Sequence, residues 1–382
     1  MMGQIFEGTG AAKRMAHTFL KLCGKKREEE ALCLTGFLVS IPIFCDSGFV
    51  VLSPIAKAIS RATKKSVIGL GVALAAGLVI THSLVPPTPG PLGVCGIFGI
   101  DVGTFILMTL VLAVPMAIAC IVYAKKVLPK KFYRIPNDDG EIVEMPYREP
   151  DYENAFHMGD ENMPGTFESF APLFLPIILI LINTVATAMG ATTGVWEVLI
   201  FLGQPIIAVG LGLLLAIFTL GRNLDRHTAL TEMEKGMQSA GIIMLVTGGG
   251  GALGQIIKDS GLGTFMAEGL AQTAIPIIVL PLIISTLMRF IQGSGTVAMT
   301  TAASISAPII VAAGVNPTLG AIACCVGSLF FGYFNDSYFW VVNRTLGVTE
   351  ATDQLQVWSV TSTIAWAVGV VEVLVYNYYW QR

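Results

Sequence analysis

The sequence predicts an all-α polytopic membrane protein made of two inverted-topology repeats, with re-entrant hairpins and broken helices. Three observations predict it. Hydrophobic residues make up 54% of the chain and charged residues 13%, where a soluble domain carries roughly a quarter charged residues. A soluble chain of this length could not bury so much apolar surface, so much of it must face lipid. Apolar runs of crossing length recur along the sequence, and the two halves carry similar segments in the same order.

A helical crossing needs about 20 apolar residues. Segments 67–86, 103–124, 170–190, 197–220, 237–253, 318–334 and 356–378 meet that requirement. Stretches 31–56 and 274–313 are also apolar, but Cys45-Asp46-Ser47-Gly48 interrupts the first and Gln292-Gly293-Ser294-Gly295-Thr296 the second. Cytoplasmic loops are enriched in Lys and Arg. Lys13, Arg14, Lys21, Lys25, Lys26 and Arg27 precede stretch 31–56, and Lys57, Arg61, Lys64 and Lys65 follow it. Both flanks are therefore cytoplasmic, and the stretch reads as a hairpin that enters and leaves on one side. Irregular backbone at that depth is tolerated only inside protein or beside a cavity. Segment 67–86 then leads out, 103–124 returns, and 274–313 dips in from outside. On this topology every Lys and Arg is cytoplasmic except Lys258, Arg289 and Arg382.

Domain organisation follows. Residues 1–134 form a first transport repeat, 135–168 a linker, and 169–382 a second repeat. The linker is acidic and broken by Pro136, Pro146, Pro150 and Pro164; it reads as a solvated cytoplasmic connection. Gly3-Gln4-Ile5 parallels Gly254-Gln255-Ile256, each followed by an amphipathic stretch and a polar-tipped hairpin. An odd number of crossings lies between them, which inverts one repeat relative to the other, a transporter feature. Three spans precede the second motif and none precedes the first. The symmetry thus predicts further N-terminal spans in a fuller form, with a shortened protein as the alternative.

Four groups of residues carry chemistry. A carboxylate at membrane depth is costly unless paired, protonated or hydrated, so Asp46, with Ser47 and Gly48 beside it, is a candidate proton or cation carrier; the plainer reading is a helix cap. His82 and Ser83 lead into Pro86-Pro87-Thr88-Pro89-Gly90-Pro91, where prolines release backbone groups. Amides freed there can hold a carboxylate, and His82 titrates near neutrality; a kinked loop at the membrane face is the plainer reading. Arg289, Gln292, Gly293, Ser294, Gly295 and Thr296 combine a cation, close backbone and hydroxyls, suited to an anion, with a structural ion pair for Arg289 equally open. Asn335, Asp336 and Ser337 offer oxygen ligands or a cap. The run Gly248-Gly249-Gly250-Gly251 lacks the ending of a phosphate loop and reads as close helix packing. The seven cysteines show no metal spacing and read as small core residues.

Taken together, these stretches resemble the gluconate permease (GntP) family across nearly the whole chain. His82 to Pro91 resembles the family pattern His-x-x-x-Pro-Pro-His-Pro-Gly-Pro. Residues 288–301 resemble its Leu-Arg-x-x-Gln-Gly-Ser-x-Thr-Val-Ala-Met-Thr-Thr, residues 335–340 its Asn-Asp-Ser-Gly-Phe-Trp, and 248–261 its glycine-rich helix end with Lys-Asp-Ser-Gly. The resemblance implies an inner-membrane symporter of the ion transporter superfamily, usually proton-coupled, for gluconate and related sugar acids or small hydroxy and amino acids. It also implies re-entrant hairpins and a fuller N-terminus. Thr88 and Tyr333 stand where the family commonly has histidine, and Tyr338 replaces a small residue, which bears on substrate and coupling.

The function expected is import of a small organic anion with protons. The substrate carboxylate would meet Ser47, Gly48, Ser83, Pro87, Thr88, Gly90, Arg289, Gln292 to Thr296, Asn335 and Ser337, with Asp46, His82 and Asp336 handling the proton or ion. Sodium coupling to a carboxylate or amino acid is the alternative within transport. A membrane-embedded enzyme or a non-transporting receptor is the alternative outside it, and no Ser-His-Asp set or His-Glu-x-x-His is visible. No cofactor or metal is expected. The partners are the anion, the coupling proton or sodium, and membrane lipid, with a homo-oligomer left open. No basic patch suggests nucleic acid.

Overall fold

A computed structural model of the chain describes residues 26–41, 44–86, 88–137, 140–150, 163–190, 193–223 and 277–380, with isolated positions between 5 and 24 and between 230 and 260. The expected span 237–253, the paired Gly-Gln-Ile motifs and Pro87 lie largely or wholly outside the described residues. The first half contains α1 (Glu28–Val39), α2 (Cys45–Thr63), α3 (Val67–Leu84), α4 (Pro89–Phe98) and α5 (Val102–Lys126). Next come α6 (Thr166–Ala188), α7 (Val195–Leu202) and α8 (Pro205–Thr219). The last part holds α9 (Val279–Gln292), α10 (Gly295–Ala312), α11 (Pro317–Gly327), α12 (Ser337–Thr345) and α13 (Val360–Trp380), the last entered through a turn, Ala351–Gln354, and a π turn, Leu355–Ser359. Among the described residues, five helical stretches are long and apolar enough to cross a membrane: Val67–Phe98, Val102–Lys131, Thr166–Thr187, Gly295–Ala312 and Ala351–Tyr379.

Helix α3 is the axis of the fold. Every residue in it except His82 is buried, and α1, α2 and α5 pack around it. Lipid is as apolar as leucine, so close packing rather than water exclusion holds such helices together. A Cβ on Gly77 would sit 2.0 Å from the Cys33 carbonyl oxygen, and one on Gly36 would sit 2.5 Å from that of Leu74. Helices α1 and α3 therefore touch backbone to backbone. Within α2, Pro54 cannot donate to the Val50 carbonyl; the Ser53 hydroxyl donates to it instead, at 3.2 Å, so the helix continues.

Charges gather at one end. Lys65 lies 2.8 Å from Glu28 and 2.7 Å from Glu29, and Lys125 lies 2.6 Å from Glu30. The start of α1 and the residues just after α2 are thus joined: the chain leaves this end along α1 and comes back to it along α2. The ribbon β1 (Arg134–Pro136) and β2 (Ile142–Glu144) belongs to the same end. It pairs antiparallel with Arg134 opposite Glu144, and the Ser66 hydroxyl donates to the Phe132 carbonyl at 2.6 Å. At the other end, a Cβ on Gly320 would sit 3.0 Å from the Phe98 ring and 3.2 Å from Ile310. The far ends of α10 and α4 and the start of α11 therefore meet there.

The order of elements is the same in both halves: two helices joined at a break, two more joined at a break, then a long helix. Several details depart from expectation. Stretch 197–220 is not a straight span, since it bends by 74° between α7 and α8. A Cβ on Gly203 at this corner would sit 2.3 Å from the Leu179 carbonyl, so the turn is packed directly against α6. Segment 318–334 is helical only to Gly327; the chain is unwound from there to Asp336. The first break precedes Cys45 rather than including it, and Asp46, Ser47 and Gly48 form the opening turn of α2. The start of the acidic linker is a docked ribbon rather than a solvated loop, and 151–162 lies outside the described residues.

Candidate functional site

The breaks in the two halves meet at a cavity of about 320 Å³. Its walls come from Phe44, Cys45 and Asp46 at the start of α2, from Val79, His82 and Ser83 on α3, and from Arg289 and Gln292 to Val297 at the α9–α10 break. Ser328, Asn335, Asp336, Ser337 and Tyr338, around the unwound segment between α11 and α12, close it. Local sequence explains each break. Gly293 has φ +77°, a conformation that favours glycine, and a Cβ there would sit 2.1 Å from the Asn335 carbonyl. Ser294 caps α10, accepting from the Val297 amide at 3.4 Å. Asp336 caps α12, accepting from the Tyr338 amide at 3.2 Å.

Three helix N-termini, those of α2, α10 and α12, therefore open onto one cavity. Each carries amides without helical partners and the positive end of a helix dipole. Among the charged groups, Arg289 is committed: it donates to the Gly293 carbonyl and to the Asp336 carboxylate. Both members of this pair are buried, at 6% and 8% side-chain exposure. Asp46 accepts from the Ser337 hydroxyl at 3.0 Å, and the Cys45 thiol points at its other oxygen from 3.6 Å. Asp46 thus joins the first half to the second across the cavity.

Four lining residues hold buried polar atoms with no hydrogen-bond partner: the donor Arg289 Nε, and His82 Nδ1, Gln292 Oε1 and Asn335 Oδ1. For Asn335 the orientation is fixed, because its amide nitrogen donates to the Phe290 and Ile291 carbonyls at 3.0 and 3.2 Å. Its oxygen is left as an acceptor. Buried polar atoms left unpaired are costly, so a ligand with hydroxyl groups fits this wall and the amides of the helix starts fit a carboxylate.

The cavity brings together Asp46, His82, Ser83, Arg289, Gln292, Gly293, Ser294, Gly295, Thr296, Asn335, Asp336 and Ser337. Four residues expected at the site do not line it. The Gly48 amide donates to the Phe44 carbonyl at 2.9 Å as an ordinary helical bond, and Ser47 lies beside it in the same turn. The Thr88 hydroxyl bonds to the His82 and Val85 carbonyls at 3.0 and 2.9 Å, closing the break between α3 and α4. Gly90 packs against Met299, whose sulfur would lie 2.7 Å from a Cβ there. Tyr333 donates to the Phe290 carbonyl at 2.6 Å and is absent from the lining. Thr88 and Tyr333, the two positions at which the resemblance led to an expectation of histidine, thus lie outside the cavity wall. Phe44, Cys45, Val79, Val297, Ser328 and Tyr338 line it without having been singled out as site residues. Cys45 and Tyr338 carried a signal, the first within the run that interrupts stretch 31–56 and the second as the bulky residue that sets 335–340 apart from the motif it resembles. Among the described residues no group of His, Cys, Asp and Glu could hold a metal ion.

Known proteins resemble the chain over nearly its whole length. Residues 1–379 match the profile of the GntP family permease. An uncharacterized permease of Haemophilus influenzae is 46% identical over 99% of this chain and 78% of its own length. The high-affinity gluconate transporter of Escherichia coli is 31% identical over 99% of this chain and 84% of its own length. Among solved structures, the YdaH transporter of Alcanivorax borkumensis aligns with 97% of this chain and 84% of its own, at 15% identity and a TM-score of 0.45.

Proposed function

Because the chain belongs to the GntP family of permeases, and is thus a multi-pass permease of the cell (inner) membrane rather than an enzyme, we propose that it is a proton symporter importing a small organic anion, gluconate or a related sugar acid. The observation that carries this reading is the convergence of three helix N-termini on a cavity whose one guanidinium is already neutralised by Asp336. The amides supply a site for a carboxylate, and the unpaired acceptors on Asn335 and Gln292 suit hydroxyl groups. With Asp46 ionised, two carboxylates face one guanidinium, and an entering anion is repelled. A proton on Asp46 removes that repulsion, so proton and anion favour one another, which is the thermodynamic requirement for symport.

The repeat architecture belongs to the same proposal. Stretches 28–63 and 279–312 are its re-entrant hairpins, within repeats 1–134 and 169–382 joined by linker 135–168. The shared order of elements supports it, as do the Lys65–Glu28 ion pair at one end and the Gly320–Phe98–Ile310 contact at the other. Hairpins opening to opposite faces with tips at a common cavity make two routes to one site, the basis of alternating access.

The test is uptake of radiolabelled D-gluconate into proteoliposomes. Accumulation should require an inward pH gradient, persist when choline replaces sodium, and collapse with a protonophore. Dependence on sodium instead would replace the proton in this scheme. Binding without accumulation under any gradient would make the protein a receptor and overturn the transport reading.

A further inference from the structure

Helix α13 contributes nothing to the cavity lining, yet its approach contains the π turn Leu355–Ser359, a feature often found at functional sites. Two hydroxyls around this turn, both buried, reach the same residue. Ser359 donates to the Gly332 carbonyl at 2.6 Å, and the Gly332 amide donates to Ser362 at 3.0 Å. Ser362 in turn donates to the Ser359 carbonyl at 3.1 Å. Gly332 sits in the middle of the unwound segment between α11 and α12, where no helix supplies backbone partners. Both its polar groups are therefore satisfied by one pair of side chains.

The position matters because of what lies against Gly332. A Cβ there would sit 2.9 Å from Arg289 Nη2, 2.9 Å from Asp336 Oδ2 and 3.0 Å from Trp358 Nε1. The glycine backbone is thus the floor under the ion pair. Trp358, fully buried, also meets Tyr338 edge-on at 4.9 Å between ring centres, and Tyr338 is a cavity wall. An error of one residue in this turn would swing both serines off Gly332, so the π turn is what aims them.

We propose that Ser359 and Ser362 form a clamp on Gly332 that fixes the unwound segment, and through it the Arg289–Asp336 pair, in the geometry that binds substrate. They are positioning residues: neither touches the cavity. The link to affinity rests on the transport reading above; the clamp itself does not.

Hydrogen exchange read by mass spectrometry on full-length protein in detergent tests the clamp without any ligand. Amides of 328–336 should be protected in the wild type and exchange at least about tenfold faster in Ser362→Ala and Ser359→Ala. Ser359→Thr, which keeps the hydroxyl, should restore most of the protection. Gluconate affinity, measured by isothermal titration on the same proteins, should weaken by about tenfold in the alanine variants, with protection elsewhere, including α3, unchanged. Unchanged exchange at 328–336 in both alanine variants would overturn the clamp. Faster exchange with unaltered gluconate affinity would overturn its role in binding. A wild type that neither binds nor accumulates gluconate while these exchange differences hold would overturn gluconate as the substrate and leave the clamp supported.

Discussion

Ser337 donates its hydroxyl to Asp46 at 3.0 Å across 291 positions of sequence. This bond ties the tip of one helix pair to the start of a helix in the other half, and it fixes where the first carboxylate of the cavity sits. Arg289 and Asp336 neutralise one another in the cavity wall, and Asp46 is the carboxylate left over.

Asp46→Asn keeps an acceptor for Ser337 and removes the titrating group. Exchange of external for internal gluconate should persist, within about tenfold of the wild-type rate. Accumulation driven by a pH gradient should vanish. The measurement is paired counterflow and gradient-driven uptake in the same proteoliposomes, and gradient-driven accumulation equal to wild type would remove Asp46 from the coupling scheme.

The Arg289–Asp336 pair is buried, so the two single variants and the double should differ in a characteristic way. Removing one partner strands the other charge, at a cost of about 3–5 kcal/mol. Arg289→Met and Asp336→Leu should each lower the unfolding midpoint strongly, and the double variant should recover part of the loss. All three should fail to bind substrate. A double variant as unstable as the sum of the singles would show that the two charges do not compensate each other.

Helix packing can be tested without touching the cavity. Gly77→Ala drives a methyl into the Cys33 carbonyl, 2.0 Å from the built Cβ position, and should destabilise by about 1–3 kcal/mol. Gly96, within α4, has nothing within 4 Å of a built Cβ. Gly96→Ala should be neutral or stabilising by up to about 1 kcal/mol, since alanine is the better helix former. Thermal unfolding of the two variants side by side reads the contrast.

Much of this architecture was legible in the sequence because lipid imposes simple rules. Apolar length marked α3, α5, α6 and α13, and lysine and arginine placement marked the end where Lys65 and Lys125 now meet Glu28, Glu29 and Glu30. The polar interruptions at Asp46, His82, Gln292 and Asn335 marked the cavity, since polar groups at depth need a reason to be there. Three things were not legible. The 74° bend in 195–219 depends on Gly203 packing against Leu179, a contact between segments that periodicity cannot report. Ser47, Gly48, Thr88 and Gly90 looked like ligands by type, but their polar groups or surfaces are taken up locally, and composition does not show which bonds are already made. The serine clamp on Gly332 was invisible because a π turn carries no periodic signature.

The charged end gives a pH prediction outside the membrane. Burial pushes the Lys65 ammonium down, but Glu29 and Glu28 beside it outweigh burial and hold its pKa above the ordinary lysine value. A group raised on folding contributes stability that is complete below its unfolded pKa and lost as pH climbs through its folded one. The Lys65 contribution should therefore be constant through neutral pH and fade only in strongly alkaline solution. Lys65→Met takes away the ammonium that the buried Glu28 and Glu29 share, so its unfolding midpoint should lie well below wild type at pH 7, and the gap should narrow only in strongly alkaline solution, where the wild type loses the Lys65 proton. A Lys65→Met midpoint equal to wild type at pH 7 would contradict this account.

Arg134 offers the last test, because it fastens the two halves at the same end. From the edge of the β1–β2 ribbon it reaches Glu144 at 3.1 Å, the Gly347 carbonyl at 2.9 Å and Asp353 at 3.4 Å. The ribbon also rests on Gly347, where a Cβ would sit 2.9 Å from Ile142. Lysine has the charge but not the planar fork needed to serve several acceptors at once. Glu144 and Asp353 are partly exposed and rehydrate when released, so Arg134→Ala should cost about 1–2 kcal/mol rather than the larger sum of its bonds. Arg134→Lys should recover less than half of that in thermal unfolding. Both variants should also speed cleavage by trypsin in linker 135–168 once the ribbon lifts. If Arg134→Lys matched wild type in both measurements, the fork would be irrelevant and only the charge would hold the ribbon down.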